Sequence, residues 1–200
     1  MAPQLYLITP TTAEPERFPA TLMAVLNAAE FAALLVARGT MSDTAYASLA
    51  SAIVNVGQGA GCAVLLENDI ALARRLGADG VHVTGDADAL RAAISAAKPA
   101  MIVGAGNLHS RHDAMTAGEM DIDYVFFGGT DGKPDPHATD LAEWWAQTFE
   151  VPAVLSQPAA SPEAVDAHGA EFVALSESLW SSPAPVTAMQ ALAARLGVSA

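Results

Sequence analysis

Six side chains in this sequence are of the kinds that hold a metal ion and a phosphate together: Arg38, Asn68, Asp69, Asp86, Asp88 and Lys133. Carboxylates suit Mg²⁺, which takes one or two of them and fills its other positions with water and phosphate oxygens. An arginine and a lysine nearby would suit that phosphate. Each residue also has a plainer reading. Asn68-Asp69 before an apolar helical stretch is what a helix cap looks like, and Asp86 and Asp88 read equally as first-turn acids opposing a helix dipole. His82, alternating within Gly80-Val81-His82-Val83, reads as a hydrogen-bonded interior histidine. His109 and His112, three apart with no further ligand, make a weak metal signal. Trp144 and Trp145 lie in a helical stretch and read as packing, with a homodimer contact as one use.

These residues need a frame that brings them together. Short apolar runs recur along the chain: 5–8, 32–36, 63–66, 80–83, 101–104, 124–127, 153–155 and 172–175. Each is bounded by Gly, Pro, Asp or Ser, as buried parallel strands are. Between them lie stretches of helical period at 15–27, 42–56, 70–76, 86–97, 111–119, 140–148, 161–168 and 186–196. Asp69 and Ser110 stand at N-cap positions, and Ser161 precedes Pro162 at a first helical position. Gly77 and Gly169 stand where a left-handed residue ends a helix.

Alternation of this kind, with right-handed crossovers, builds either an open doubly wound sheet or a closed barrel. Eight repeats in 200 residues predict a (β/α)₈ TIM barrel filling the whole chain, 1–200, as one domain. No G-x-G-x-x-G follows the first strand, so a dinucleotide-binding sheet has no support. In a barrel the loops at the C-terminal strand ends form the site. Those loops are 38–43, 67–69, 84–88, 104–109, 128–135, 156–161 and 176–182, and they would set the six polar residues facing one another.

Composition narrows the partners. With 9 Lys+Arg against 22 Asp+Glu the formal net charge is -13, which opposes binding to nucleic acid or an anionic membrane surface. No apolar run approaches the roughly 18 residues that span a bilayer. A single cysteine, Cys62, permits no internal disulfide. The first residues lack the basic region and apolar stretch of a signal peptide. A cytoplasmic protein acting on small molecules is the expectation.

The stretch from Leu65 through Glu67-Asn68-Asp69 to Ala78-Asp79-Gly80-Val81-His82-Val83 closely resembles the central signature of the thiamine phosphate synthases: an apolar strand, Asn-Asp, an Ala/Leu-rich helix, then Ala-Asp-Gly-Val-His-Leu. Leu5-Tyr6-Leu7-Ile8-Thr9 is similar to that family's opening strand, Ile102-Val103-Gly104 to its fifth, and the run from Asp123 to Gly129 to its sixth. Val151-Pro152-Ala153-Val154 resembles the seventh strand and the run from Gly169 to Ser176 the eighth, so the likeness is collinear over nearly the whole chain.

The resemblance implies Mg²⁺-dependent condensation of a pyrimidinylmethyl diphosphate with a thiazole phosphate, giving thiamine phosphate and pyrophosphate. Asp69 matches one metal-binding aspartate, and the second falls at Asp86 or Asp88. Arg38, Asn68 and Lys133 match residues of the catalytic centre. Substrate contacts would come from these three and from His82, Asn107, Thr130, Gln157, Ser176 and Ser178.

Departures from the pattern are equally specific. The family's Gln-x-Arg-x-Lys after strand two keeps only its arginine in Val36-Ala37-Arg38-Gly39-Thr40. Its Gly-Gly after strand seven, which brings backbone N–H groups to a phosphate, is Gln157-Pro158 here. Glu177 stands between the two serines of the last loop and would repel a phosphate. Two alternatives therefore stand beside the synthase. One is a barrel that binds a thiamine-precursor-like molecule without turnover. The other is a thiazole tautomerase, for which His109 would have to replace a histidine absent from 128–133.

Overall fold

The computed structural model describes residues 2–199. Eight parallel strands pair in chain order and close, β8 returning to β1. They are β1 (Gln4–Ile8), β2 (Phe31–Val36), β3 (Ala63–Glu67), β4 (Gly80–Val83), β5 (Ile102–Ala105), β6 (Tyr124–Phe127), β7 (Ala153–Ser156) and β8 (Phe172–Leu175). The helices are α1 (Phe18–Leu26), α2 (Asp43–Gly59), α3 (Ile70–Leu76), α4 (Ala87–Ala97), α5 (Arg111–Gly118), α6 (Ala138–Ala146), α7 (Glu177–Trp180) and α8 (Pro185–Leu196). This is the (β/α)₈ barrel the alternation predicts. No described helix is long and apolar enough to cross a membrane.

Strand side chains alternate between two cores. Outward residues such as Leu34, Leu66, Val81, Val125 and Leu155 pack under the helices. Inward residues, among them Tyr6, Ile8, Leu35, Leu65, Tyr124 and Phe126, fill the barrel. Two large inward side chains are matched by glycines on, or one residue past, the neighbouring strand β5. A Cβ at Gly104 would fall on the Tyr124 ring, and one at Gly106 on the His82 imidazole. Bare backbone on β5 and just past its end is thus what admits a tyrosine and a histidine to the axis.

Caps hold the helix starts near the barrel mouth. Asp69, Asp86 and Ser110 each accept a hydrogen bond from a backbone N–H of their own helix, from Leu72, Ala89 and Asp113 at 2.8, 2.9 and 3.1 Å. Gly77 closes α3 in the left-handed region at φ 69°.

One expected helix is absent. Residues 161–168 make a single turn, in which the Ala164 and Val165 N–H groups donate to the Ser161 carbonyl, and then stop. The Asp166 carboxylate takes the His168 N–H at 2.7 Å, His168 enters the left-handed region at φ 50°, and Gly169 follows at φ 86°. Local side-chain acceptance wins over helix propagation there. A helix the periodicity does not announce, α7, forms instead after β8. Its Trp180 donates its indole N–H to the Ile8 carbonyl at 2.6 Å and meets Phe18 edge-on, tying the last loop to β1.

Candidate active site

The β3–β4 corner is built first by hydroxyls and amides. Tyr46 of α2 donates to the Val36 carbonyl at 2.8 Å and accepts the Glu67 N–H at 2.7 Å, binding the upper ends of β2 and β3 together. Asn68 then leaves the strand in the left-handed region, φ 57°. Its amide nitrogen donates to the Thr84 hydroxyl at 2.7 Å and its amide oxygen accepts the Thr84 N–H at 2.9 Å. Both ends of the side chain are thus spent on fixing the loop after β4, where Asp86 begins α4.

Glu67 is the acid at the centre. It is 7% exposed and faces into the barrel. One oxygen accepts the Arg38 N–H at 2.7 Å and the other the Thr130 hydroxyl at 2.8 Å, so it links β2 to the loop after β6 across the mouth. That loop leaves β6 through Gly128 at φ 102°, where a Cβ would come 2.8 Å from the Ser156 side chain. Ser156 in turn donates its hydroxyl to the Gly129 carbonyl at 2.9 Å.

Beside Glu67 lies His82, fully buried, its Nδ1 2.9 Å from the Tyr124 hydroxyl, which lies 3.0 Å from the Tyr6 hydroxyl. Nε2 has no partner. Burial pushes this imidazole down to about 3, so it is neutral at ordinary pH, and holds both tyrosines protonated. Glu67, His82, Thr84, Asn107, Thr130 and Lys133 are among the residues lining a cavity of about 400 Å³ at the mouth.

The metal-ligand candidates divide. Asp69 and Asp86 each spend one carboxylate oxygen on a cap and leave the other uncommitted. Asp88 lies in the first turn of α4, exposed, and pairs with Arg91 of the same helix at 2.6 Å. No three acids or histidines converge as a ready ion cage among the described residues. Two uncommitted oxygens on neighbouring loops nonetheless suit a cation that draws most of its ligands from water and phosphate.

The cations are already engaged. Arg38 pairs with Asp43 and lies over the Tyr46 ring, 5.3 Å from its centroid. Lys133 pairs with Asp131 at 2.8 Å. That pair holds the Asp131 carboxyl below, and the Lys133 ammonium above, their ordinary values. The Asn107 amide oxygen accepts a hydrogen bond from His109 Nε2 at 2.7 Å, and His109 stands 4.0 Å from Asp135.

At the β7–β8 corner the Gln157 N–H is used by the Ala174 carbonyl and the Ser178 N–H by the Pro158 carbonyl, at 2.9 and 2.8 Å. The Gln157 side chain turns away to the Asp166 carbonyl. What remains free is a pair of hydroxyls, Ser176 and Ser178, both buried and without partners. Hydroxyls replace backbone N–H groups as the donors this corner can offer.

The thiamine monophosphate synthase family model matches residues 5–179. The chain belongs to that family. It is 34% identical over 189 residues to the thiamine-phosphate synthase of Rhodospirillum centenum, covering 90% of this chain and 91% of that protein. To the thiamine-phosphate synthase of Hyphomonas neptunium it is 32% identical over 203 residues, covering 94% and 91%. Among solved structures, thiamine phosphate pyrophosphorylase from Pyrococcus furiosus superposes with a TM-score of 0.76 at 16% identity, over 97% of this chain and 95% of that one. A 3-hexulose-6-phosphate synthase from Salmonella typhimurium reaches the same score at 16% identity, over 96% and 98%. Likeness at that identity is one of fold.

Within this member of the thiamine monophosphate synthase family, Glu67, Tyr124 and Tyr6 make buried hydrogen bonds at the barrel axis that the sequence alone does not announce. Glu67 stands in one of the loops expected at the mouth. Its inward orientation follows from alternation with Leu65, and that was the available signal. The tyrosines had none, because a tyrosine inside a strand looks like packing until its hydroxyl is seen to have a partner.

Proposed function

We propose that the protein is a thiamine phosphate synthase, joining a pyrimidinylmethyl diphosphate to a thiazole phosphate with release of pyrophosphate. The observation that supports this best is the β3–β4 corner: Asn68 committed at both ends to Thr84, which holds Asp69 and Asp86 at neighbouring helix starts with one oxygen of each free. Departure of pyrophosphate leaves a resonance-stabilised pyrimidine cation, and the thiazole nitrogen captures it. Mg²⁺, held by Asp69 and Asp86 in this reading, would neutralise charge growing on the departing diphosphate.

The chain's own residues position the partners. Arg38 and Lys133 bind the diphosphate by exchanging their intramolecular carboxylates for phosphate oxygens. Ser176 and Ser178 donate their unpaired hydroxyls to the thiazole phosphate. His82, Asn107 and Thr130 line the ring cavity, and Gln157 braces the loop beneath the serines. Catalysis of this kind is orientation plus electrostatics, with no proton to be moved before the bond forms.

The test is to incubate the protein with both substrates and Mg²⁺ and assay thiamine phosphate and pyrophosphate together, with Asp69→Asn alongside. Asparagine still caps a helix, so the fold should persist. Product that requires Asp69 is the expected result, and turnover undiminished in Asp69→Asn would remove the metal role. A second reading, binding without turnover, is favoured by the altered β7–β8 corner. Ligand-dependent stabilisation with no product would select it.

A further inference from the structure

The N-terminal end of the barrel, opposite the mouth, is left unfilled. Layers of bulky branched side chains ordinarily pack a barrel of this kind. Here β2 and β3 bring the register partners Ala33 and Ala63 to that level, and alanine reaches no further than its Cβ. A pit of about 340 Å³ remains, with Tyr6 and Tyr124 deep in it and Phe172 at its partly exposed edge. It shares no lining residue with the cavity at the mouth.

The one charged residue on its lining, Asp123, is already spent. Both its oxygens take the Lys98 ammonium, at 2.7 and 2.6 Å, and one also takes the Val103 N–H at 2.7 Å. A charged guest would give up its hydration and find no opposite charge free to replace it. Water fares little better, because apolar walls offer it few partners. Tyr6, Tyr124 and Phe172 instead present rings, which favour edge or offset contact with another ring. Benzene occupies an apolar cavity of about 150 Å³, so this space admits a second fused ring. Gln4, exposed at the rim, supplies an amide to meet a ring N–H.

Tyr124 gives the pit a reach beyond itself. The residue forms part of the wall, while its hydroxyl lies 2.9 Å from Nδ1 of His82, which lines the cavity at the mouth. The two cavities therefore stand one hydrogen bond apart. The phenol and imidazole rings are also parallel within 10°, with centroids 5.8 Å apart. In a close-packed interior, a displacement of one such ring is passed to the next.

We propose that the pit is a binding site for a neutral aromatic molecule of up to two fused rings, and that Tyr124 transmits its occupancy to His82. Such binding is independent of turnover and can be read in protein without substrate.

The probe is indole, titrated into nitrogen-15-labelled protein and followed by NMR. Amide signals of Ala33, Ala63 and Tyr124 should shift together and saturate with a Kd below about 1 mM. The ring nitrogens of His82 should move with the same midpoint. Indole-3-acetate and tryptamine, the anionic and cationic relatives, should bind at least about 10-fold more weakly. Equal affinity for either would overturn the assignment of a neutral guest.

Ala33→Leu grows into the open space and should weaken indole binding at least about 10-fold. Ala63→Leu blocks the pit from the next strand, should the first variant fail to fold. Indole bound undiminished by either folded variant would lie elsewhere and overturn the site, as would the lack of any saturable shift in wild type. Saturation at the pit with the His82 nitrogens unmoved would overturn the transmission.

Discussion

Gly104 on β5 and Tyr124 on β6 occupy one another's space: a methyl group on the first would lie on the ring of the second. The barrel axis is filled by this tyrosine because the glycine yields, and the Tyr124 hydroxyl reaches His82 only from there. Gly104→Ala should destabilise the protein by about 1–3 kcal/mol, as overpacking of a filled core does. Denaturant titration measures it. Because the ring must move, the same variant should lose the Tyr124–His82 hydrogen bond, visible in the His82 nitrogen spectrum.

Asn68 combines a left-handed backbone with two hydrogen bonds to Thr84, and two substitutions separate these contributions. Asn68→Gly keeps the backbone conformation and loses the bonds, while Asn68→Ala loses both. Alanine should cost about 1 kcal/mol more than glycine, the steric penalty for a Cβ in that region. If the two variants are equally stable, the φ of 57° is not a constraint on this residue.

Acid sensitivity should carry a histidine signature. His82 titrates near 6.5 when unfolded and at about 3 when buried. Between those values the unfolded chain binds the extra proton, so this contribution is intact above pH 6.5 and is lost as pH falls toward 3. The slope is about 1.4 kcal/mol per pH unit. His109, His112, His137 and His168 are exposed. Melting from pH 7 to 4.5 should thus show a limb that flattens in His82→Gln, and an unchanged limb would assign it elsewhere.

Asp86 and Asp88 should part company in a metal titration. Asp86→Asn keeps the cap and removes the free oxygen, and turnover at limiting Mg²⁺ should fall on the order of 100-fold, as losing one preorganised electrostatic contact does. Asp88→Asn breaks only an exposed pair with Arg91 and should leave turnover within about 2-fold. Reversed results would move the second ligand to Asp88.

Lys133 can grip a phosphate only by leaving Asp131. Asp131→Asn releases it, and KM for the diphosphate substrate should fall a few-fold at low salt, the effect vanishing at high ionic strength. A rise in KM would mean that Asp131 positions the lysine instead of competing for it.

The frame was legible wherever an apolar run met hard boundaries. Gly80–Val83, Tyr124–Phe127, Phe172–Leu175 and Ile70–Leu76 match the periodicity to the residue. It failed at 161–168, where Ser-Pro-Glu is a good helix start, but Asp166 and Gly169 capture the backbone too soon for a second turn. Types of site residue were legible as well. Their commitments were not, since an Arg38 or Lys133 in a sequence carries no sign of the nearby carboxylate it pairs with. The Glu67–Thr130 link joins residues far apart in the chain, and only closure of the barrel creates it.

The connection from β7 to β8 runs as short turns and irregular chain, pinned to the barrel through buried Val165. Every other stave is backed by a helix, so this arc has the least regular backing to oppose local opening. Ser156, Gln157, Ser176 and Ser178 hang from that same arc. Amide hydrogens of β7 and β8 should therefore exchange with solvent sooner than those of β2 to β5, and a ligand gripping the serines would slow them most. Occupancy would be written into the exchange rates of one side of the barrel, leaving the opposite side silent.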